Sequence, residues 1–204
     1  MFPAVIETER LRLEAVGPDA AELDRVYEIC AHDEGIEDVT RCLPWEPHET
    51  IRETEQFLAD GAERWADGQS ADYVVRPRES ADGVGEVAGF GGLYCDWERD
   101  RAALGLWLRK RFWGRGYSGE RATALVELAF DRLGLGVVQV GHLDGNEKSE
   151  SAISEYVDRL GGRREGIERN SLAFPDGEVH TEASYTITRA EWLDATDGGT
   201  DVLD

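Results

Sequence analysis

Apolar and polar positions along this chain change period several times, and each change marks an element. From Thr8 to Val16, Leu11 and Leu13 alternate with charged neighbours, the period of two that suits a half-buried strand. Gly17-Pro18-Asp19 then opens a helix with Leu23, Val26, Tyr27 and Cys30 at helical spacing. After a turn-rich link, Cys42 to Pro47, a second helix is predicted from Glu49 to Trp65, burying Ile51, Leu58, Ala62 and Trp65. The period returns to two in Tyr73 to Arg76 and again in Glu86 to Tyr94, with a turn at Ser80 to Gly83, which reads as a hairpin.

Another strand follows, Ala102 to Arg109, with Leu104, Leu106 and Leu108 on one face and Trp107 on the other. A glycine-containing loop leads into a helix from Ser118 to Leu133, striped by Ala122, Leu125, Val126, Ala129 and Leu133. Val137 to His142 reads as a short buried strand. A helix starting at Asn146 or Ser149 carries Ile153, Tyr156, Val157 and Leu160 and stops at Gly161-Gly162. Two strands around Pro175-Asp176-Gly177 close the fold, and Asp194 to Asp204 is polar, acidic and expected to be disordered. No internal repeat is visible, and 204 residues suit one core, so a single domain is expected.

Composition narrows the setting. Forty-three acidic residues against 22 basic ones give a net charge of −21, and Lys110 and Lys148 are the only lysines. Such a surface stays hydrated in concentrated salt, which also screens its self-repulsion, so a salt-rich cytosol is expected. The ordinary alternative is an acidic protein without salt adaptation. Nucleic acid and anionic membrane, both polyanions, are disfavoured as partners. The apolar runs are short and the first residues lack the pattern of a secretory signal, so a cytoplasmic location is expected. Cys30, Cys42 and Cys95 show no paired spacing or nearby His, so neither a disulfide framework nor a metal site is indicated.

One segment breaks the acidic trend. Between Leu106 and Glu120 lie Arg109, Lys110, Arg111 and Arg115 together with Gly114, Gly116 and Gly119, at the junction of strand, loop and helix. A helix start offers unpaired amides and the positive end of the dipole, and glycines let the backbone approach an anion closely, so a polyphosphate is expected here. The GxxxxGK[ST] loop of nucleotide-triphosphate binders is absent, and a dinucleotide loop would come earlier in the chain. A plain basic surface turn is the remaining alternative.

Arg111-x-x-Gly114-x-Gly116 resembles the [QR]xxGx[GA] pyrophosphate loop of the GNAT acetyltransferases. The longer run from Gly105 to Ala122, with Thr8 to Leu13, Asn146 to Ser149, Glu165 to Asn170 and Tyr185 to Trp192, is similar in order and spacing to the RimJ/RimL branch, which acetylates protein N-termini. The resemblance spans residues 5 to 193. It implies an α+β fold: one GNAT-type domain whose mixed, largely antiparallel sheet of six to seven strands splays between the fourth and fifth and is flanked by about four helices. It also implies acetyl-CoA as donor and an amine as acceptor, with no metal. Leu106, Trp107 and Leu108 would hold the pantetheine arm, with an oxyanion-binding amide near Leu106. Arg111, Phe112, Trp113, Gly114, Arg115, Gly116, Tyr117, Ser118 and Gly119 would hold the pyrophosphate, and Asn146 and Ser149 the pantetheine or its sulfur. Asn146 also reads as a helix N-cap.

Transfer by direct attack is expected, since no nucleophile set suggests a covalent enzyme intermediate. Near pH 7 roughly a tenth of an α-amine is neutral, against well under a thousandth of a lysine, so an N-terminal acceptor asks less of a base. Ala103 stands where relatives often carry a carboxylate. His142 is the first candidate base, with Glu98 and Asp100 second, and Ser149 or Tyr156 would protonate the leaving thiolate. For each, a structural role is the alternative. Acceptors other than protein N-termini, namely antibiotics, polyamines or amino acids, stay open, as does a non-catalytic acyl-CoA-binding regulator. A monomer or homodimer fits equally.

Overall fold

The computed structural model describes residues 1–17, 22–78 and 83–196. Its centre is one sheet of eight strands in the order β1-β2-β3-β4-β5-β6-β8-β7. The strands are β1 (Val5–Glu7), β2 (Leu11–Ala15), β3 (Ser70–Pro77), β4 (Gly89–Asp96), β5 (Arg101–Leu108), β6 (Val137–Leu143), β7 (Arg163–Ala173) and β8 (Val179–Thr188). Every neighbouring pair is antiparallel except β5 with β6. The expected α+β fold is therefore present. The strand count rises to eight because a short edge strand precedes the run from Leu11. The turn between them is held by Thr8, whose amide donates to the Leu11 carbonyl and whose hydroxyl accepts from the Leu11 amide.

Among the described residues six α-helices cover the sheet: α1 (Leu23–His32), α2 (Ile36–Thr40), α3 (Ile51–Ala66), α4 (Tyr117–Glu127, continued by a π-helical turn over Leu128–Arg132), α5 (Glu147–Arg159) and α6 (Arg189–Ala195). The proline-led start expected for α1 and most of the turn expected at Ser80 to Gly83 lie outside the described residues. Two helices exceed the expected count. α2 is five residues long, too short for a periodic pattern to register. α6 replaces the end of a predicted strand: the Thr188 hydroxyl accepts from the Glu191 amide while the Glu191 carboxylate accepts from the Thr188 amide. This reciprocal cap turns the chain into a helix. Trp192 is then fully buried, its ring centroid 5.4 Å from that of Phe130. Asp194 and Ala195 thus belong to α6, and the rest of the expected tail from residue 197 lies outside the described residues. Ile51, expected in the core, is exposed at the first position of α3.

Strand β3 shows how the layers share the sheet. Alternate side chains face opposite ways, so Val74 joins Val16, Val26, Ile29, Leu58 and Phe90 under α1 and α3. Tyr73 and Val75 join the larger core with Ala122, Leu125, Ile153 and Val157 under α4 and α5.

The parallel pair positions the site. β5 and β6 are in register only from Arg101↔Val137 to Leu104↔Val140. Beyond that they part, although β4 still pairs with β5 as far as Leu108, and β8 with β6 as far as Leu143. Each strand is held on its outer side while the inner edges diverge, which leaves a wedge-shaped gap inside a continuous sheet.

Candidate active site

The gap exposes backbone. The Arg109 amide donates to the Ala88 carbonyl at 2.9 Å, which fixes the alternation along β5. Residues 107 and 105 turn their amide and carbonyl groups toward β4; Leu106 and Leu108 turn theirs toward the gap. The Leu108 carbonyl accepts from Trp113 Nε1 at 2.8 Å, so Trp113 ties the loop to the end of β5. Leu106 keeps a donor and an acceptor facing the opening, the pattern an added strand or a chain of amides would satisfy.

Behind β5 lies a residue the motif did not include. Arg121, on α4, is 1% exposed and donates from Nη1 to the Gly105 carbonyl at 3.1 Å. Burial lowers its pKa, Tyr156 and Tyr94 oppose that electrostatically, and its Nε has no partner among the described residues. A buried guanidinium aimed at the first residue past the split holds β5 in place. A close reading of spacing would have flagged it: Arg121, Leu125 and Leu128 fall on one buried stripe of the helix.

The glycine loop reaches α4 through Gly114 and Gly116, at φ +72° and +77°, a region that disfavours any side chain with a Cβ. Gly116 caps α4 with no side-chain hydrogen bond, and the first backbone bond of the helix runs from the Glu120 amide to the Gly116 carbonyl. The amides of Tyr117, Ser118 and Gly119 in the first turn therefore lack intrahelical acceptors. Phe112 is fully buried, so it anchors the loop rather than facing a ligand.

The cationic cluster divides in two. Arg109 is 5% exposed and forks onto Asp33 at 2.5 and 2.9 Å. Lys110 Nζ lies 2.6 Å from Asp38. Both fasten the loop to the α1–α2 region and are spent there, which corrects the expectation that they serve an anion. Arg111 contacts Glu86 at 3.1 Å and packs over Phe112, as does Arg115. Two cations come to the loop from elsewhere. Arg10, in the β1–β2 turn, donates to the Arg115 carbonyl at 3.0 Å and pairs with Glu120 at 2.7 Å. Lys148 Nζ sits 4.5 Å from the centroid of Trp113. Arg10 is 105 residues from Arg115, so no local motif could have indicated it.

Asn146 caps α5, its side-chain oxygen accepting from the Ser149 amide at 3.3 Å, and Ser149 is half-buried in the first turn. Tyr156 is 1% exposed, and burial pushes its phenol to about 12 although Arg121 pulls the other way. Glu98 lies in the turn Trp97–Arg99 beside Arg101, at the paired end of β5 and away from the gap. His142 is 7% exposed. Its Nδ1 lies 2.9 Å from the Leu143 carbonyl, which can only accept, so Nδ1 carries the proton. Its Nε2, 3.2 Å from the Tyr185 hydroxyl, is the acceptor in the neutral ring, so both nitrogens are engaged.

On the α1–α3 face, β5 borders a cavity of about 440 Å³ walled by Trp45, Phe57, Phe90 and Trp107. Its floor is polar. Asp72 accepts from Arg64 Nε at 3.3 Å and from the Ser70 hydroxyl. Desolvation of the phenol and the Asp72 carboxylate together raise the pKa of Tyr94, whose hydroxyl is hydrogen-bonded to Asp72 although the residue as a whole is 41% exposed. Tyr94 lies across Gly105, where a Cβ would come within 2.8 Å of its ring. A second cavity, of about 520 Å³, shares Leu43, Trp45 and His48 with the first and extends to Phe174 and Asp176 in the β7–β8 turn.

A split parallel pair beside a glycine-capped helix is thus joined to an aromatic cleft, and the family model for the acetyltransferase (GNAT) domain matches residues 10–156. The chain belongs to the GNAT acetyltransferase family. It is 32% identical over 109 residues to YdaF of Bacillus subtilis, a protein named for ribosomal N-acetyltransferase activity, covering 53% of this chain and 57% of that one. It is 31% identical over 98 residues to the FsC-acetyl coenzyme A-N(2)-transacetylase of Aspergillus fumigatus, covering 46% and 39%. The chain spans about half the length of the curated relatives it matches. Among solved structures, the microcin C7 self-immunity acetyltransferase MccE, in complex with acetyl-CoA and AMP, superposes with a TM-score of 0.77. At 15% identity over 92% of this chain and 97% of that one, the likeness to MccE is one of fold. Among the described residues no helix is long and apolar enough to cross a membrane, and no cluster of His, Cys, Asp and Glu suits a metal.

Proposed function

We propose that this GNAT protein is an acetyl-CoA-dependent N-acetyltransferase acting on the N-terminal α-amine of a protein in a salt-rich cytoplasm. The observation that carries the reading is the gap between β5 and β6, with Leu106 facing it and the bare first turn of α4 at its end. Acetyl-CoA supplies an activated acetyl group when bound. The residues fit it: the amides of Leu106 and Leu108 face a peptide-like pantetheine arm, flanked by Trp107. The loop from Gly114 through Arg115, Gly116, Tyr117 and Ser118 to Gly119 presents its amides to a diphosphate, with Arg111 and Trp113 beside it; the Trp113 amide is held by the Lys110 carbonyl. Lys148, over the Trp113 ring, adds charge there, whereas Arg109, Lys110 and Arg10 are each met by a carboxylate.

Within that arrangement the Leu106 amide stabilises the developing oxyanion. Asn146 orients the first turn of α5, and the Ser149 hydroxyl hydrogen-bonds the departing sulfur. The cleft between Trp45, Trp107 and the β7–β8 turn holds the acceptor, and proximity supplies much of the rate. A small-amine acceptor is the second reading, favoured by the aromatic walls of the 440 Å³ cavity.

The test is a peptide panel and an amine panel incubated with acetyl-CoA and read by mass spectrometry. The reading expects acetylation confined to peptide α-amines. Turnover of small amines alone selects the second reading. Tight acetyl-CoA binding without any turnover identifies a regulator.

A further inference from the structure

Gly141 is the first residue of β6 beyond its last pair with β5. Ala103 pairs with Gln139, so Gly141, two residues further, shares the face of Ala103, Gly105 and Trp107, the face that lines the aromatic cavity. On its other side β6 pairs with β8, where Glu182 stands opposite Leu143. The Glu182 side chain leans diagonally back over Gly141, and a Cβ at Gly141 would collide with its carboxylate. The missing side chain at 141 is what lets a carboxylate lie at the mouth of the gap.

We propose that Glu182 is the proton acceptor for the incoming ammonium, a role that rests on the donor-binding reading above. Among the described residues Glu182 forms no ion pair, unlike Asp72, whose charge Arg64 answers. Facing it are Glu168 directly across on β7 and the Ser171 hydroxyl on the same strand, with His180 two residues along on β8; His142, on the opposite face of β6, acts on it only electrostatically. Half-burial, then the like charge of Glu168, raise its pKa; His142 and Ser171 act in the opposite sense. A raised carboxylate pKa makes a stronger base. His142 has both nitrogens committed, and Ala103 offers no acceptor.

The step balances. An N–H bond of the ammonium breaks, and its proton goes to a Glu182 carboxylate oxygen and from there to solvent. The freed lone pair forms the C–N bond to the acetyl carbon as the C–S bond breaks. The second proton lost from nitrogen converts the departing thiolate to a thiol.

The test compares Glu182→Gln with His142→Ala and the wild type by pH–rate profile, alongside calorimetric affinity for acetyl-CoA. Glu182→Gln is expected to lower kcat/KM at pH 7 by about 100-fold and to abolish the acidic limb of the profile, with acetyl-CoA affinity within about twofold. An acceptor amine already neutral at that pH is expected to lose less than about fivefold, which a merely structural role would not produce. A wild-type profile in Glu182→Gln, with the limb lost in His142→Ala instead, overturns the proposal and leaves the function standing. A wild type that neither binds nor turns over acetyl-CoA overturns both.

Discussion

Tyr156 sits in the core with its phenol pushed to about 12 by burial. Proton donation from such a group to a thiolate of ordinary pKa near 8.5 is uphill by about 5 kcal/mol. Tyr156→Phe is therefore expected to change kcat by less than about threefold. A hundredfold fall in steady-state turnover would restore the tyrosine as proton donor. The contrast with Glu182 is one of surroundings: both are shifted by burial, but the carboxylate faces the gap and the phenol packs behind it. Side-chain type and place along the chain singled out Tyr156 and His142 as candidates, because a sequence shows which groups can titrate and hides which are buried or already hydrogen-bonded. The same limit applied to Arg109 and Lys110, whose charges are met by Asp33 and Asp38 from more than 70 positions away.

At the level of elements, α4 is tied to the edge of the sheet through one carboxylate. Glu120 accepts from the Thr8 hydroxyl, from the Arg10 amide at 2.7 Å and from Arg10 Nε at 2.7 Å. Burial alone would raise its pKa; the bonds from Thr8 and Arg10 outweigh that and hold it below the usual carboxylate range. A depressed folded-state pKa contributes stability that is fully present above the unfolded value, about 4.3, and is lost as pH falls through the lower folded value. Glu120→Gln is expected to lower the denaturant midpoint at pH 7 and to flatten its fall below about pH 4.3. An unchanged acid slope would show that the tie carries no such linkage. The long elements were legible in the sequence because periodicity accumulates with length: the α4 stripe and the alternation of β5 lie within a residue or two of their predicted spans. β1, with three residues, and α2, with five, are too short for that. α6 was hidden because its capping box follows directly on a strand.

Across the whole molecule, the glycine loop was legible because its chemistry is contiguous, whereas the acceptor cleft was not, because Asp72, Tyr94 and Trp107 meet only through the strand order. The net charge of −21 makes its own prediction at this scale. Molar salt shortens the screening length to about 3 Å. The thermal midpoint is therefore expected to rise by about 10 °C or more between dilute buffer and molar potassium chloride. A midpoint indifferent to salt would remove salt adaptation from the account. The central claim is that the parted strands and the glycine loop together form the donor site, and a crystal structure with acetyl-CoA tests it most directly. The account predicts the pantetheine arm between β5 and β6, hydrogen-bonded to Leu106, with the diphosphate on the amides of residues 114–119. A bound donor elsewhere, with the gap closed by side chains, would contradict it.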